Sequence, residues 1–396
     1  MSYSTSTLLS IHTLCFYPQS GFSVTEKLSD CYSQLKNHSA IKGFPLHSIV
    51  KQTMFISVAD NTEFTQSKQK LLSCAKDFFK IIPPTSVIAQ NPEIGSIALE
   101  ITLIDDLQQN EVLYRHNDKS DWVIVNRCGM KMVFASGSGD NPETESITMQ
   151  ASGAFEKLER ILNEEGMEFS SVLRQWNYIE QITSETNLTG SASQHYQIFN
   201  DLRSRFYSKS DFTNGFPAAT GIGTFCGGIT IDIIAISGTG YSAISIKSPV
   251  QKDAYTYTEE VLARNHSMSD FCRTSPKFER AKVLVTDENK VVFVSGTAAI
   301  KGQASIPELS AGIQTEMTIQ NILSLISPEN LAKHGIHTTK NPVLTYLRIY
   351  VKHPEDMQIV KSICDRHFSQ LRVLYLIADI CRPELLVEIE GIAFPG

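Results

Sequence analysis

The chain has 396 residues, 42% of them apolar and 19% charged, with a formal net charge of −7. That is enough material for two to four globular domains with ordinary cores. The acidic balance argues against nucleic acid or an anionic membrane as partner. No apolar run reaches membrane-spanning length, and the Ser/Thr-rich start lacks the basic and apolar parts of a signal peptide, so a cytoplasmic location is expected. Eight cysteines (Cys15, Cys31, Cys74, Cys128, Cys226, Cys272, Cys364 and Cys381) form no CxxC pair. They read as reduced, mostly buried thiols, with neither a disulfide frame nor a metal site expected.

In chain order, one β–α–β–α–β–β unit is expected three times. Residues 1–108 hold the weakest copy. Leu28 to Leu35 predicts a first helix, Leu46 to Ile56 a strand, and Glu63 to Phe79 a second helix that Pro83-Pro84 ends. Ser86 to Ala89 and Ile97 to Ile104 close the copy, with Glu100 placed near the position of Glu388 in the last one.

Residues 109–250 hold the second copy. Met132 to Ser138 echoes Val291 to Thr297 as a strand, Gln150 to Leu162 is the first helix, and Trp176-Asn177-Tyr178 lies in a strand. Tyr196 to Tyr207 is the second helix, and Gly228 to Ile236 closes the copy. Aligning the closing strands sets Asp232 opposite Glu390 and Thr230 opposite Glu388.

Residues 251–396 begin with a polar, aromatic insertion, Asp253 to Pro276, that carries Tyr255, Tyr257 and Phe271. A loop of that length is often functional. Lys290 to Phe293 predicts a strand leading into Val294-Ser295-Gly296-Thr297-Ala298-Ala299. A helix from Ile313 to Ile326 carries an apolar stripe at helical spacing. The strand Leu344 to Val351, the helix Glu355 to Phe368 and the strands Leu371 to Ile380 and Leu385 to Ala393 complete the copy. In the final strand Glu388 and Glu390 share one face and Val387 and Ile389 the other. A carboxylate in so apolar a strand sits either in water at a sheet edge or in a pocket. In a pocket, desolvation makes it a proton donor near neutral pH.

The unit order, the Ser-Gly before the first helix, the Gln opening that helix and the closing Val387-Glu388-Ile389-Glu390-Gly391-Ile392-Ala393 resemble the YjgF/Rid family. The resemblance implies α/β (α+β) chorismate-mutase-like units around a pseudo-threefold axis, a trimer within one polypeptide and hence a monomer. A closer resemblance rests on five motifs in order. They are Arg174-Gln175-Trp176-Asn177-Tyr178, Tyr196 to Arg203, Phe216 to Thr224, Ser295-Gly296-Thr297-Ala298, and Ala378 to Arg382 with Leu385 to Glu390. Together they resemble the chorismatases of the 3-hydroxybenzoate synthase type.

That resemblance implies release of pyruvate from chorismate without metal or organic cofactor. Glu388 would be the acid, Arg203 a carboxylate clamp, Tyr257 a substrate contact, and Gly296 and Cys381 the residues that shape the ring pocket. Arg348 would be a further substrate-binding cation, and Arg382 is a spare one. Read without it, Arg203 is equally a solvated helix charge, Tyr257 an aromatic that packs its loop, and Cys381 a small buried hydrophobe. One departure stands out. Ser248-Pro249-Val250-Gln251 replaces the family's Asn-Pro-Arg-Gln, so Val250 removes an Arg that Arg264 or Arg273 would have to replace. Alternatives stay open: hydrolysis of chorismate to 3,4-dihydroxycyclohexa-1,5-diene carboxylate, formation of 4-hydroxybenzoate, imine or enamine hydrolysis, or ligand binding without turnover.

Overall fold

A computed structural model describes residues 10–118, 120–188, 191–258, 274–287, 289–306 and 309–395. Three sheets share one core topology. In the first the strand order is Ile11–Phe16, Ile97–Ile104, Ile49–Ile56, Thr85–Ile88. In the central sheet Met130–Ser138, Ile229–Gly238, Val172–Glu180 and Ala218–Thr224 repeat that order. In the third, Lys290–Ala298, Val387–Phe394, Val343–Val351 and Arg372–Ile377 repeat it again. In each sheet the closing strand runs antiparallel between its neighbours, and the last two strands are parallel. The chain is therefore a mixed α/β protein of three tandem units.

Two helices cover one face of each sheet, joined on the third by the short helix Pro328–Lys333. Those of the central unit, Ile147–Glu164 and His195–Tyr207, show why the sequence folds this way. Ser146 caps the first by accepting from the Met149 N–H, and Ala151, Ala154, Phe155, Leu158 and Leu162 line its buried face. Phe155 meets Phe199 and Phe206 of the second helix at ring-centre distances of 5.4 and 5.1 Å. The other face of every sheet turns inward. There a single core takes Phe55 and Ile88 from the first sheet, Phe134 and Ile234 from the central one, and Phe293 and Ile392 from the third. Burial on both faces explains why the closing strands read as apolar almost throughout.

Charges interrupt that inner core in a cyclic pattern. Lys51 of the first unit pairs with Asp232 of the second at 2.7 Å. Arg174 of the second pairs with Glu390 of the third, and Arg348 of the third with Glu100 of the first. All six side chains are buried, so each charge is neutralised by the next unit. Burial works against the Glu100 carboxylate, but the Arg348 guanidinium overrides it and holds its pKa below the usual value.

The structure departs from expectation in several places. Ile11–Phe16, a short strand with polar His12 and Thr13, opens the first sheet. Val112–His116 and Asp121–Arg127 extend the central sheet. Tyr241–Ile246 pairs with Ala281–Thr286, so it belongs to the third sheet although it precedes residue 250. Glu100 corresponds to Glu390 and not to Glu388. Cross-strand pairing sets Thr53 against Glu100, Trp176 against Asp232 and Arg348 against Glu390, which leaves Ala98 and Thr230 at the Glu388 position. Arg348, expected to meet substrate, lies in the axial ring with its guanidinium taken up by Glu100, Glu390 and Tyr178.

Candidate active site

Between the central and third units lies a cavity of about 550 Å³. Helix His195–Tyr207 supplies one wall. Its outer turns pack on the aromatic cluster, and this turns Tyr196, Asn200 and Arg203 toward the opening. Arg203 is 2% exposed. Its Nη2 donates to Asn200 Oδ1 at 2.6 Å, and its Nε has no partner among the described residues. A guanidinium held by one side chain and facing a cavity is ready for an anion.

Two more guanidiniums line the opposite rim. Arg280 Nη2 donates to the Lys252 carbonyl at 2.7 Å and also to the Tyr257 hydroxyl. Arg382 Nη1 donates to the Gln303 carbonyl at 3.0 Å and to Ser305 Oγ at 2.9 Å. The Tyr257 ring stands 5.6 Å from the Arg280 guanidinium carbon and 5.4 Å from that of Arg382. Tyr257 thus holds two cations in place by their π contacts as well as lining the cavity itself.

At the floor is Glu388. Gln314, near the start of helix Ala311–Leu325, fixes the approach to its strand. Gln314 donates to the Glu384 carbonyl at 3.0 Å and accepts from the Leu386 N–H at 2.8 Å. The Glu388 carboxyl is 4% exposed, and no ion pair or hydrogen bond to it is made among the described residues. Burial pushes its pKa up to about 8, the Glu390 charge pushes the same way, and Arg174 and Arg280 pull it back. A carboxyl that keeps its proton near neutral pH is an acid.

Gly296 makes room for it. The register of Lys290–Ala298 against the closing strand shifts between Val294 and Thr297, and Gly296 lies in that bulge. A Cβ added there would overlap the Glu388 carboxylate and come 3.0 Å from Thr220 Cγ2. The Gly296 N–H donates to Thr220 Oγ1 at 3.0 Å. Cys381 lies beside the carboxyl. Burial, then the Glu388 charge, push its thiol up to about 12, so it stands there as a neutral S–H. Tyr196 is raised likewise, by burial first and by Cys381 next.

The equivalent junction of the first and central units is filled. Thr230 stands for Glu388, the parallel register puts Val87 where Gly221 lines the open cavity, and Phe64 packs in with them. Asn61 Nδ2 bonds Glu180 there at 3.1 Å, and the Gly227 N–H donates to Asn61 Oδ1 at 2.6 Å.

Of the residues expected from sequence, the fold brings together Glu388, Arg203, Tyr257, Gly296, Cys381 and Arg382, and leaves Arg348 out. Val250 is 42% exposed and is not part of the cavity wall among the described residues. Arg264, Phe271 and Arg273 lie outside the described residues. Arg280 and Asn200 escaped the sequence reading. Arg280 lies in the charge-rich Lys277 to Lys282 stretch, which looks like a solvated loop, and Asn200 looks like any polar helix residue.

Residues 112–235 match the family model described as chorismatase FkbO/Hyg5-like, N-terminal. A 3-hydroxybenzoate synthase from Streptomyces hygroscopicus is 33% identical over 262 residues, which span 64% of this chain and 72% of that protein. A chorismatase from the same organism is 32% identical over 223 residues, spanning 55% of this chain and 60% of the other. A crystal structure of a chorismatase superposes with a TM-score of 0.69 over 97% of this chain and 99% of that one, at 21% identity, which speaks to fold. The chain belongs to the chorismatase family.

Proposed function

We propose that the protein cleaves chorismate to pyruvate and 3-hydroxybenzoate, with Glu388 as the proton donor. The observation that carries this is the buried Glu388 carboxyl, unpartnered among the described residues, at the floor of a cavity whose walls carry Arg203, Arg280 and Arg382, where burial raises its pKa. Chorismate is a dianion with an enolpyruvyl ether, and the three cations suit its carboxylates. A proton from Glu388 to the terminal enol carbon leaves an oxocarbenium-like centre, and the newly formed carboxylate stabilises it. An oxygen then captures that centre. Water gives a hemiketal that collapses to pyruvate as its bond to the ring ether oxygen breaks. The neighbouring ring hydroxyl instead gives a cyclic ketal, which loses the proton of the ether-bearing ring carbon while the other ring carbon–oxygen bond breaks, and the hemiketal so formed collapses to pyruvate and 3-hydroxybenzoate.

The atoms decide between the outcomes. Pyruvate and 3-hydroxybenzoate together contain the atoms of chorismate, with no water added and no net proton used. The proton that Glu388 gives is returned as the ring becomes aromatic. Hydrolysis to the dihydrodiol acid takes up one water. Cys381 and Tyr196 stand beside the acid, and this favours the route without water. The cavity is of a size usual for small-molecule sites.

Among the described residues no helix is long and apolar enough to cross a membrane, and a cytoplasmic location is part of the proposal. So is a monomeric state, since the unit-to-unit surfaces are met within one chain. The test is incubation with chorismate, reading pyruvate by a coupled assay and the ring product by chromatography. Pyruvate with 3-hydroxybenzoate is expected, and Glu388→Gln is expected to bind chorismate but lose turnover by about a hundredfold or more. Near-normal turnover in that variant rules Glu388 out as the acid.

A further inference from the structure

The axial ring contains one feature with a chemical neighbour. Glu390 Oε2 accepts from Arg174 Nη2 and from Thr220 Oγ1. Its Oε1 accepts from Trp176 Nε1 at 3.0 Å, Arg348 Nη1 at 2.9 Å and Tyr350 Oη at 3.0 Å. Thr220 also accepts from Arg174 Nη2 at 2.6 Å and from the Gly296 N–H at 3.0 Å. A single bonded path therefore runs from the ring to the glycine on which the Glu388 carboxyl lies. The same arrangement exists at the first junction, where Lys51 pairs with Asp232 and Ser86 Oγ donates to Asp232 Oδ1 at 2.5 Å. There the residue two before the carboxylate is Thr230, which carries no titrating proton.

We infer that Glu390 is a positioning residue for the reaction: locked in the axial ion ring, it fixes both the charge and the floor against which the Glu388 carboxyl works. The inference rests on the reading of Glu388 as the acid. Glu388 and Glu390 project from the same face of one strand, so a fixed negative charge stands behind the acid. Arg174 and Arg280 oppose that charge from the central strand and from the rim. Tyr350 is the cross-strand partner of Glu388, and Glu185, Tyr196, Arg203, Tyr257, Cys381, Arg382 and Glu384 complete the titratable and charged groups around the cavity among the described residues. Turning Glu390 neutral would leave Arg174 as the uncompensated charge behind the acid, and Glu388 would release its proton earlier.

The experiment compares the pH dependence of kcat/KM for pyruvate release in wild type, Glu390→Gln, Glu390→Asp and Asp232→Asn. In parallel, the Glu388 carboxyl is titrated by carbon-13 NMR, its signal assigned by its loss in Glu388→Gln. Wild type should lose activity through an alkaline limb near pH 8. Glu390→Gln should move both the limb and the NMR titration toward acid by about one pH unit or more. Glu390→Asp should restore them, and Asp232→Asn, which opens the equivalent pair away from the acid, should leave them in place. A folded Glu390→Gln protein with limb and titration unmoved overturns the inference. If that variant does not fold, Arg174→Gln carries the test with the opposite sign, and an unmoved limb there overturns it too. A wild-type protein that releases no pyruvate refutes the proposed function instead, and the NMR titration then decides the inference alone.

Discussion

Glu388 has a price in stability whose sign follows from its environment. Its carboxyl titrates near 4.5 in a solvated chain and near 8 in the fold. Below pH 4.5 the group is neutral in both states and costs nothing. As pH rises from there the unfolded chain gives up the proton first, so stability falls, and above pH 8 the full penalty applies, on the order of 5 kcal/mol. Glu388→Gln should therefore be more stable than wild type at pH 8 to 9, with the difference fading by pH 4. Unfolding by denaturant at both pH values measures this, and an equal gain at both would remove burial of the acid as its cause. The strand pattern singled out Glu388 as a carboxylate at a sheet edge or in a pocket, and only the family resemblance pointed to a proton donor. The role of Arg348 was not legible in that way. A cation on an apolar strand needs an anion, and the sequence does not say whether substrate or the chain itself provides it. Only the register, which sets Arg348 against Glu390 and brings Glu100 within reach, resolves the matter.

At the scale of elements, the site depends on the bulge in Lys290–Ala298. Gly296→Ala puts a methyl group where the Glu388 carboxyl now lies. The acid must then turn or the strand must shift, so kcat/KM should fall on the order of 10- to 100-fold while the protein stays folded. Steady-state kinetics with a circular dichroism melt would show it, and unchanged kinetics would mean the carboxyl has another resting place. Long periodic elements such as Ile147–Glu164 and Val343–Val351 were plain in the sequence, because burial of one helical face or of most of a strand leaves a pattern. Ile11–Phe16 and Tyr241–Ile246 were not. Short strands that mix polar and apolar residues owe their state to a distant partner, and that partner leaves no local trace.

At the scale of the molecule, the three units meet around a shared core and a closed ring of ion pairs, so the surfaces that would join separate copies are already occupied. Light scattering after size exclusion should give the mass of one chain, and a stable trimer would contradict that. The ring also bears on what the architecture permits. In an assembly of identical subunits, a residue placed at one junction is placed at every junction. Here Glu388, Thr230 and Ala98 occupy the same structural address in three separately encoded copies. One junction can therefore stay open around an acid while another closes on Phe64. A change at the open junction is also never multiplied by three.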